Sequence, residues 1–544
     1  MAPSRHVRRP LLCAVWLLVL TGGLVVAGCE AQSGSDAPAV VIPLMDDLGT
    51  LHRPITTTSP LAQTYFDQGL RLLYGFNYDE ALFSFQQAAR LDPSCAMCQW
   101  GIAFVLGPNI NLPMDAADVD PAIVAAREAL RLAPSASPEE RALIEAIVQR
   151  YWYGAQPPLD SAYAGAMREV AQRFPEDPDI ATLYADAVMN LSPWNYWEAD
   201  DSPRPGIAEI VDLLERTVAA NPDHPGACHL LIHAVEKPMP EKAVPCAERL
   251  ASLMPGAGHL VHMPGHIYMR VGRYADAVRV SQHATHADAR YVADRQPQGM
   301  YMLGYVPHNF HFLWWAASMA GQSAIALEAA REVSSSVPLD AVRDLPFLEK
   351  VLPTKYIALA RFGRWDEMLA EPPPAPDFHY TTAIWHYARG LAFAAKRDFS
   401  AAEDELTQLL QKAPAASAGP PVLGIAGHVL AGEIAARRGD FPSAIRELES
   451  AVQLEDGLMY DEPATWHHPV RQVLGAVLLD AGRPADAERV YREDLDEYPN
   501  NGWSLFGLAQ ALRAQGRAAE AAEVDDAQRA AWAEADVVLE RSRL

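Results

Sequence analysis

Basic side chains are in short supply. The 544-residue chain carries 44 lysines and arginines against 69 aspartates and glutamates, for a formal charge of -25. A field of that sign repels a polyanion, so no nucleic-acid partner is expected. Long hydrophobic runs are also scarce, and after residue 28 none is long enough to span a bilayer as a helix. No glycine-rich phosphate loop, His-Glu-x-x-His motif or Gly-x-Ser-x-Gly nucleophile elbow occurs. Cysteine is sparse, at six residues. What is abundant is core-forming material: half the residues are hydrophobic and 21% are charged, which excludes global disorder. The length leaves room for about three or four domains.

The N-terminus reads as an address. Arg5, Arg8 and Arg9 precede an apolar run from Leu11 to Val26, the order of a secretory signal. The run ends in Val26-Ala27-Gly28-Cys29, which resembles the bacterial lipobox. That resemblance implies removal of residues 1–28 and acylation (palmitoyl-type) of Cys29. The expected product is a membrane lipoprotein outside the cytoplasm, facing the periplasm or the cell surface. An uncleaved anchor or an ordinary signal peptide is the alternative. Residues 29–58 are expected to hold the lipidated cysteine and a flexible tether, with Glu30 to Pro38 as its polar start.

Beyond the tether a pattern repeats. Gly69 and Ala81 are twelve residues apart, and so are Gly265 and Ala277, Gly390 and Ala402, Gly432 and Ala444, Gly475 and Ala487, and Ala509 and Ala521. A glycine commonly stands five residues before the second member, as at Gly272, Gly439, Gly482 and Gly516. Small residues at such positions let two helices cross closely, with a turn between them. Over roughly residues 60–535 the chain resembles the tetratricopeptide repeat (TPR) proteins. It also resembles a group of bacterial TPR lipoproteins, through Cys95–Gly101, Gly107–Asn111, Pro193–Trp197 and Asn501–Leu508. The resemblance implies an all-α superhelix of stacked antiparallel helix pairs, an α-solenoid whose first helices line a concave face. Residues 59–340 are expected to form N-terminal units with a histidine-rich groove, and 341–544 the C-terminal units. Degenerate units are expected near 96–135, 139–220 and 345–375.

Histidine is concentrated where chemistry is expected. Ten of the 17 histidines fall between His224 and His311. His259 and His262 stand six and three residues before Gly265, and His308 and His311 take the same offsets before Trp314. Residues i and i+3 share a helix face, so both pairs are expected to point into the groove from neighbouring units. His266 continues the first stripe. His229, His233 and Glu236 run at i, i+4 and i+7, a spacing that places two imidazoles on one metal. Imidazole with one carboxylate suits zinc, copper, iron or nickel. Glu236 is the candidate base or further ligand, and no other catalytic residue is assigned. Pro264 lies inside the first of these helices, which must kink or begin there. In the second case His259 and His262 lie on a loop.

Two further groups remain. Cys95, Cys98, Cys228 and Cys246 allow three disulfide pairings outside the cytosol. A local Cys95–Cys98 bond is favoured over a soft-metal site with Met97, and Cys228 and Cys246 are expected to pair across one hairpin. Trp194 and Trp197 in a proline-flanked loop, Trp314, Trp315, and the loop residues Asn109 and Asn111 are candidates to line the ligand groove. Together these features point to a membrane-anchored TPR protein whose groove binds a peptide or protein partner, either with a bound transition metal or as a metal-free polar groove. The alternative is a histidine-ligated metalloenzyme, hydrolytic or oxidative, on the same scaffold.

Overall fold

The computed structural model describes residues 43–151, 159–297, 299–412, 420–466 and 468–543, which belong to one unit beginning near residue 42. The signal, Cys13, Cys29 and His467 lie outside the described residues. Among the described residues the regular elements are helical, and extended pairing is confined to isolated bridges at Asn109–Leu112 and Trp197–Pro203. No described helix is long and apolar enough to cross a membrane.

The helices come in antiparallel pairs. α1 (Pro60–Tyr74) pairs with α2 (Tyr78–Leu91), α3 (Ala96–Val105) with α4 (Val119–Leu132), α5 (Pro138–Arg150) with α6 (Asp160–Arg173), and α7 (Pro178–Met189) with α8 (Ile207–Ala220). α9 (Pro225–Val235) and α10 (Val244–Leu253) follow. Then α11 (Gly258–His262) and α12 (Pro264–Arg270) together face α13 (Tyr274–Arg295). α14 (Val306–Met319) pairs with α15 (Ser323–Ser336), and the short α16 (Leu339–Asp344) leads to α17 (Thr354–Arg361) and α18 (Trp365–Ala370). The last pairs are α19 (His379–Ala395) with α20 (Phe399–Lys412), α21 (Pro420–Arg438) with α22 (Phe441–Asp456), α23 (Val470–Asp480) with α24 (Pro484–Glu497), and α25 (Gly502–Ala514) with α26 (Ala518–Ala531). Side-chain caps start several of them: Ser59, Asn77, Asp177, Asp440 and Asn501 each accept from a main-chain N–H two or three residues on.

The repeat phase is written in the backbone. Phe76, Gly272, Gly321, Gly363, Arg397, Gly439, Gly482 and Gly516 all take positive φ in the turn between paired helices. Five residues after each stands a fully buried side chain: Ala81, Ala277, Ala326, Met368, Ala402, Ala444, Ala487 and Ala521. The crossing contact also recurs. A Cβ on Gly69, Gly432 or Gly475 would fall 2.7, 2.8 or 2.4 Å from Phe85, Leu448 or Tyr491, each sixteen residues later on the partner helix. These glycines are needed for close approach of the two helices.

Two expectations change. Residues 43–58 are not free tether but are strapped onto the helices. Arg71 donates to the Leu51 carbonyl, Thr56 donates to Glu140, and Arg53 donates to Asp177 and Asp179 at 2.9 Å each. The side chains of Arg53, Thr56 and Thr57 find carboxylate acceptors on the helices, which holds the segment in place. A helix, α12, does begin at Pro264 as expected, but no loop precedes it. Met263 keeps helical dihedrals (φ -52°, ψ -37°) between α11 and α12, so His259, His262 and His266 stay on one helical run.

Candidate functional site

Six of the seven expected histidines meet. The ring nitrogens of His229, His233 and His259 lie within 4.8 Å of one another, and those of His262, His266 and His308 do the same. Their helices dictate this. On α9 the i, i+4 spacing puts His229 and His233 on the face toward α11, and α11–α12 presents His262 and His266 at the same spacing toward α14. All are buried except His308, which is half-buried.

The nitrogens crowd each other. His229 Nε2 is 3.1 Å from His259 Nε2, and His262 Nε2 is 2.9 Å from His266 Nε2 and 3.2 Å from His308 Nε2. An imidazole nitrogen carries either one hydrogen or one in-plane lone pair, so His262 Nε2 can satisfy only one of its two contacts. Both ring nitrogens of His233 are buried without a hydrogen-bond partner, as are Nδ1 of His259 and of His262. Such orphaned groups are costly in a folded interior. A metal ion would resolve the conflict: nitrogens sharing one tetrahedral ion at 2.0–2.1 Å stand about 3.3 Å apart.

The outer nitrogens show how the rings are aimed. His229 Nδ1 lies 2.7 Å from the Tyr74 carbonyl oxygen, so it is the donor and Nε2 keeps its lone pair. His266 Nδ1 is 2.9 Å from Glu236 Oε2 and 3.9 Å from Glu462 Oε2. Glu236 Oε2 also lies 3.7 Å from His233 Nδ1. Glu236, expected as a base or ligand, is therefore an orienting carboxylate behind the rings. Burial would raise its pKa, but His266 and His233 hold it below the usual carboxylate range. Burial, then neighbouring imidazoles, pushes His229, His259 and His262 well below the ordinary histidine value and His308 down to about 3. Burial also lowers His233, against the pull of Glu236, whereas Glu236 overcomes burial at His266 and raises it. At neutral pH the cluster is therefore largely uncharged imidazole, the form that binds metal.

His311 does not join. From the start of α14 it turns away and stacks on Trp314, with ring centroids 5.2 Å apart. Phe312, one position on, takes the inward place, 4.9 Å from His262 and 4.6 Å from His266. The i, i+4 relation, not i, i+3, selects the inward face here. Trp314 and Trp315 are core residues, 1% and 2% exposed, because the small position of this unit is filled by a ring. Trp197 donates to the Ala234 carbonyl and packs against α9. Asn109 closes its own turn by accepting from the N–H groups of Asn111 and Leu112. These residues do not line a groove.

Trp194 and Asn111 do cover the cluster. Trp194 meets His233 edge-on at 5.1 Å, and its indole N–H donates to Asn111 Oδ1 at 3.2 Å. Asn111 donates in turn to the Tyr305 hydroxyl, whose ring meets His259 at 4.9 Å. Tyr305 ends a π-helical turn, Tyr301–Tyr305, that runs into α14, a distortion often found at functional sites. The sequence pattern missed Tyr305, Phe76, Asp288 and Glu462. Phe76 packs 4.4 Å from His229, and its place five residues before Ala81 was a readable signal. Asp288 accepts from Tyr301 and Asn309 at 2.8 and 2.7 Å and packs under Gly258, where a Cβ would fall 1.9 Å from its oxygen. It thereby fixes the start of α11 against α14.

Disulfides join Cys95 to Cys98 at the start of α3, and Cys228 on α9 to Cys246 on α10. The first leaves no thiolate beside Met97 for a soft metal. His52 bonds Asp67 on the surface of α1, away from the cluster.

The tetratricopeptide repeat family model matches residues 471–493 and 502–524, which span α23 with α24 and α25 with α26. These two helix pairs are tetratricopeptide repeats. No curated protein matches the sequence. Similar solved structures include a human IFIT1 dimer with m7Gppp-AAAA, at 14% identity over 88% of this chain and 92% of that one, with a TM-score of 0.32. Yeast Tom70 is 12% identical over 86% and 91%, with a TM-score of 0.27. Cut9 with Hcn1, from an APC/C hetero-tetramer, is 11% identical over 87% and 94%, with a TM-score of 0.26. At those scores the likeness carries nothing about ligands, and the repeat assignment stands on the family match and the recurring turns.

Proposed function

We propose that this TPR protein is a membrane-anchored, extracytoplasmic metalloprotein whose repeats build the ligand shell of a buried transition-metal centre. The observation that carries the reading is the meeting of His262, His266 and His308 at Nε2, where one nitrogen is contacted twice at 2.9 and 3.2 Å. Zinc, copper and iron all accept such imidazole sets. The Tyr74 carbonyl accepts from His229, and Glu236 pairs with His266 at 2.9 Å, the kind of outer partner that metal-bound histidines need. A bound metal would supply Lewis acidity or redox chemistry at a position left open by three protein ligands. The side chains do the rest: Trp194, Asn111 and Tyr305 exclude bulk water, and Glu236 aims His266.

The scaffold is of the kind that binds proteins or peptides. The clustered histidines, buried as they are, serve the metal rather than such a partner. The acidic field disfavours nucleic acid. Acylation at Cys29 would hold the chain on a bacterial membrane.

The test is elemental analysis of residues 29–544 purified without a histidine tag, beside H259A/H262A/H308A. Near-stoichiometric metal that is lost in a variant with unchanged helical circular dichroism is expected. Absence of bound metal after loading with zinc and with copper would overturn the reading.

A further inference from the structure

The six imidazoles are organised as two copies of one motif. In the first, His229 and His233 stand at i, i+4 on α9 and the following first helix, α11, adds His259. In the second, His262 and His266 stand at i, i+4 on α11–α12 and the following first helix, α14, adds His308. The close nitrogen contacts run inside each triad: His229 to His259 in one, His262 to His266 and His308 in the other. The triads are nonetheless neighbours. His259 and His262 have ring centroids 5.5 Å apart, and His233 and His266 are 5.7 Å apart. Glu236 Oε2 spans the seam, 3.7 Å from His233 Nδ1 and 2.9 Å from His266 Nδ1.

One ion cannot use this set. A tetrahedral first-row ion takes four ligands at about 2.0 Å, so six imidazoles from three successive units exceed what one centre accommodates. Resting on the metalloprotein reading above, we propose that the cluster holds two copper ions side by side, one on each histidine triad, entering as Cu(I).

Charge selects the metal. Every inward-facing donor is an imidazole, and the buried carboxylates beside the rings are Glu236 and Glu462, 2.9 and 3.9 Å from His266 Nδ1. A pair of zinc or ferrous ions would bring four positive charges against these two negative ones. A buried charge without a partner is costly. Two Cu(I) ions bring only two, and so leave the smaller uncompensated charge in the buried site.

The test uses residues 29–544, untagged and stripped of metal, titrated anaerobically with Cu(I) against a competing chelator and separately with Zn(II). Two Cu(I) per chain are expected, falling to one in H229A/H233A and to one in H262A/H308A. After oxidation to Cu(II), the wild type should show far less than one unpaired spin per copper because the adjacent ions couple. Each variant should show about one. Should the variants fail to fold, the wild-type stoichiometry and spin count decide by themselves. One copper per chain with a full spin would overturn the pair and leave the metalloprotein reading intact. Two zinc ions bound in preference to copper would overturn the choice of metal. No metal of either kind would remove both readings.

Discussion

The Nδ1 of His229 lies 2.7 Å from the main-chain carbonyl oxygen of Tyr74, a residue 155 positions earlier in the chain. Tyr74 is itself fixed: its hydroxyl donates to Asp179 at 2.6 Å, and Asp179 also receives Arg53 and approaches His224 Nε2 at 3.1 Å. The orientation of a histidine in the cluster thus depends on a buried ionic network that includes the N-terminal strap. Removing Asp179 leaves Arg53, 8% exposed, with one carboxylate instead of two. Asp179→Ala is expected to lower unfolding free energy by about 3 kcal/mol, the scale of a broken buried pair. Denaturant titration checks this, and a loss under 1 kcal/mol would mean that the network is dispensable.

The same network sets an acid limit. Burial alone would raise the Asp179 pKa, but His224, Arg53 and Tyr74 together hold it well below the usual carboxylate value. A carboxylate depressed in the folded state stabilises it fully above the unfolded pKa, about 3.9, and loses that contribution as pH falls toward the folded value. The stability difference between the wild type and Asp179→Asn should be constant near neutrality and shrink below about pH 4. A difference that instead grows as pH falls would contradict the assignment.

Gly258 is where α11 closes on Asp288, and a Cβ there would fall 1.9 Å from the carboxylate oxygen. Gly258→Ala must push α11 outward or displace Asp288 from Tyr301 and Asn309. It should cost about 1–3 kcal/mol, as overpacked sites do, and weaken metal retention because His259 moves with the helix. Thermal unfolding and metal content, measured together, check both. Full metal retention at unchanged stability would show that the close contact is not needed.

Trp194 is the exposed edge of the cover, 37% accessible, and holds Asn111 by one hydrogen bond. Trp194→Ala is expected to leave stability within about 1 kcal/mol, as surface changes usually do, while metal removal by a chelator accelerates severalfold. Stopped-flow transfer to a coloured chelator measures it. An unchanged rate would place the entry path elsewhere.

The repeat was legible wherever glycine marked the turn, as at Gly439, Gly482 and Gly516, because glycine takes positive φ without steric cost. Phe76 and Arg397 take the same turn without that marker, so their units are recognised by Ala81 and Ala402 instead. The histidine cluster was legible through helical spacing, but the spacing alone placed His311 inward. Phe312 fills that position, and packing decides between adjacent residues at the start of a helix. Tyr305 lies in a π-helical turn that no 3.6-residue pattern describes. Glu462 comes from a loop nearly two hundred residues beyond His266 and reaches it only because distant units fold onto one another. Contacts of that kind have no period in the sequence.

The central claim is that histidine nitrogens, and not sulfur or carboxylate oxygen, hold a metal. X-ray absorption at the metal edge of the loaded, untagged protein reads this directly. The expected spectrum is a first shell of nitrogen at about 2.0 Å with the outer-shell pattern of imidazole rings. A sulfur shell near 2.3 Å, or an oxygen shell without imidazole scattering, would contradict it.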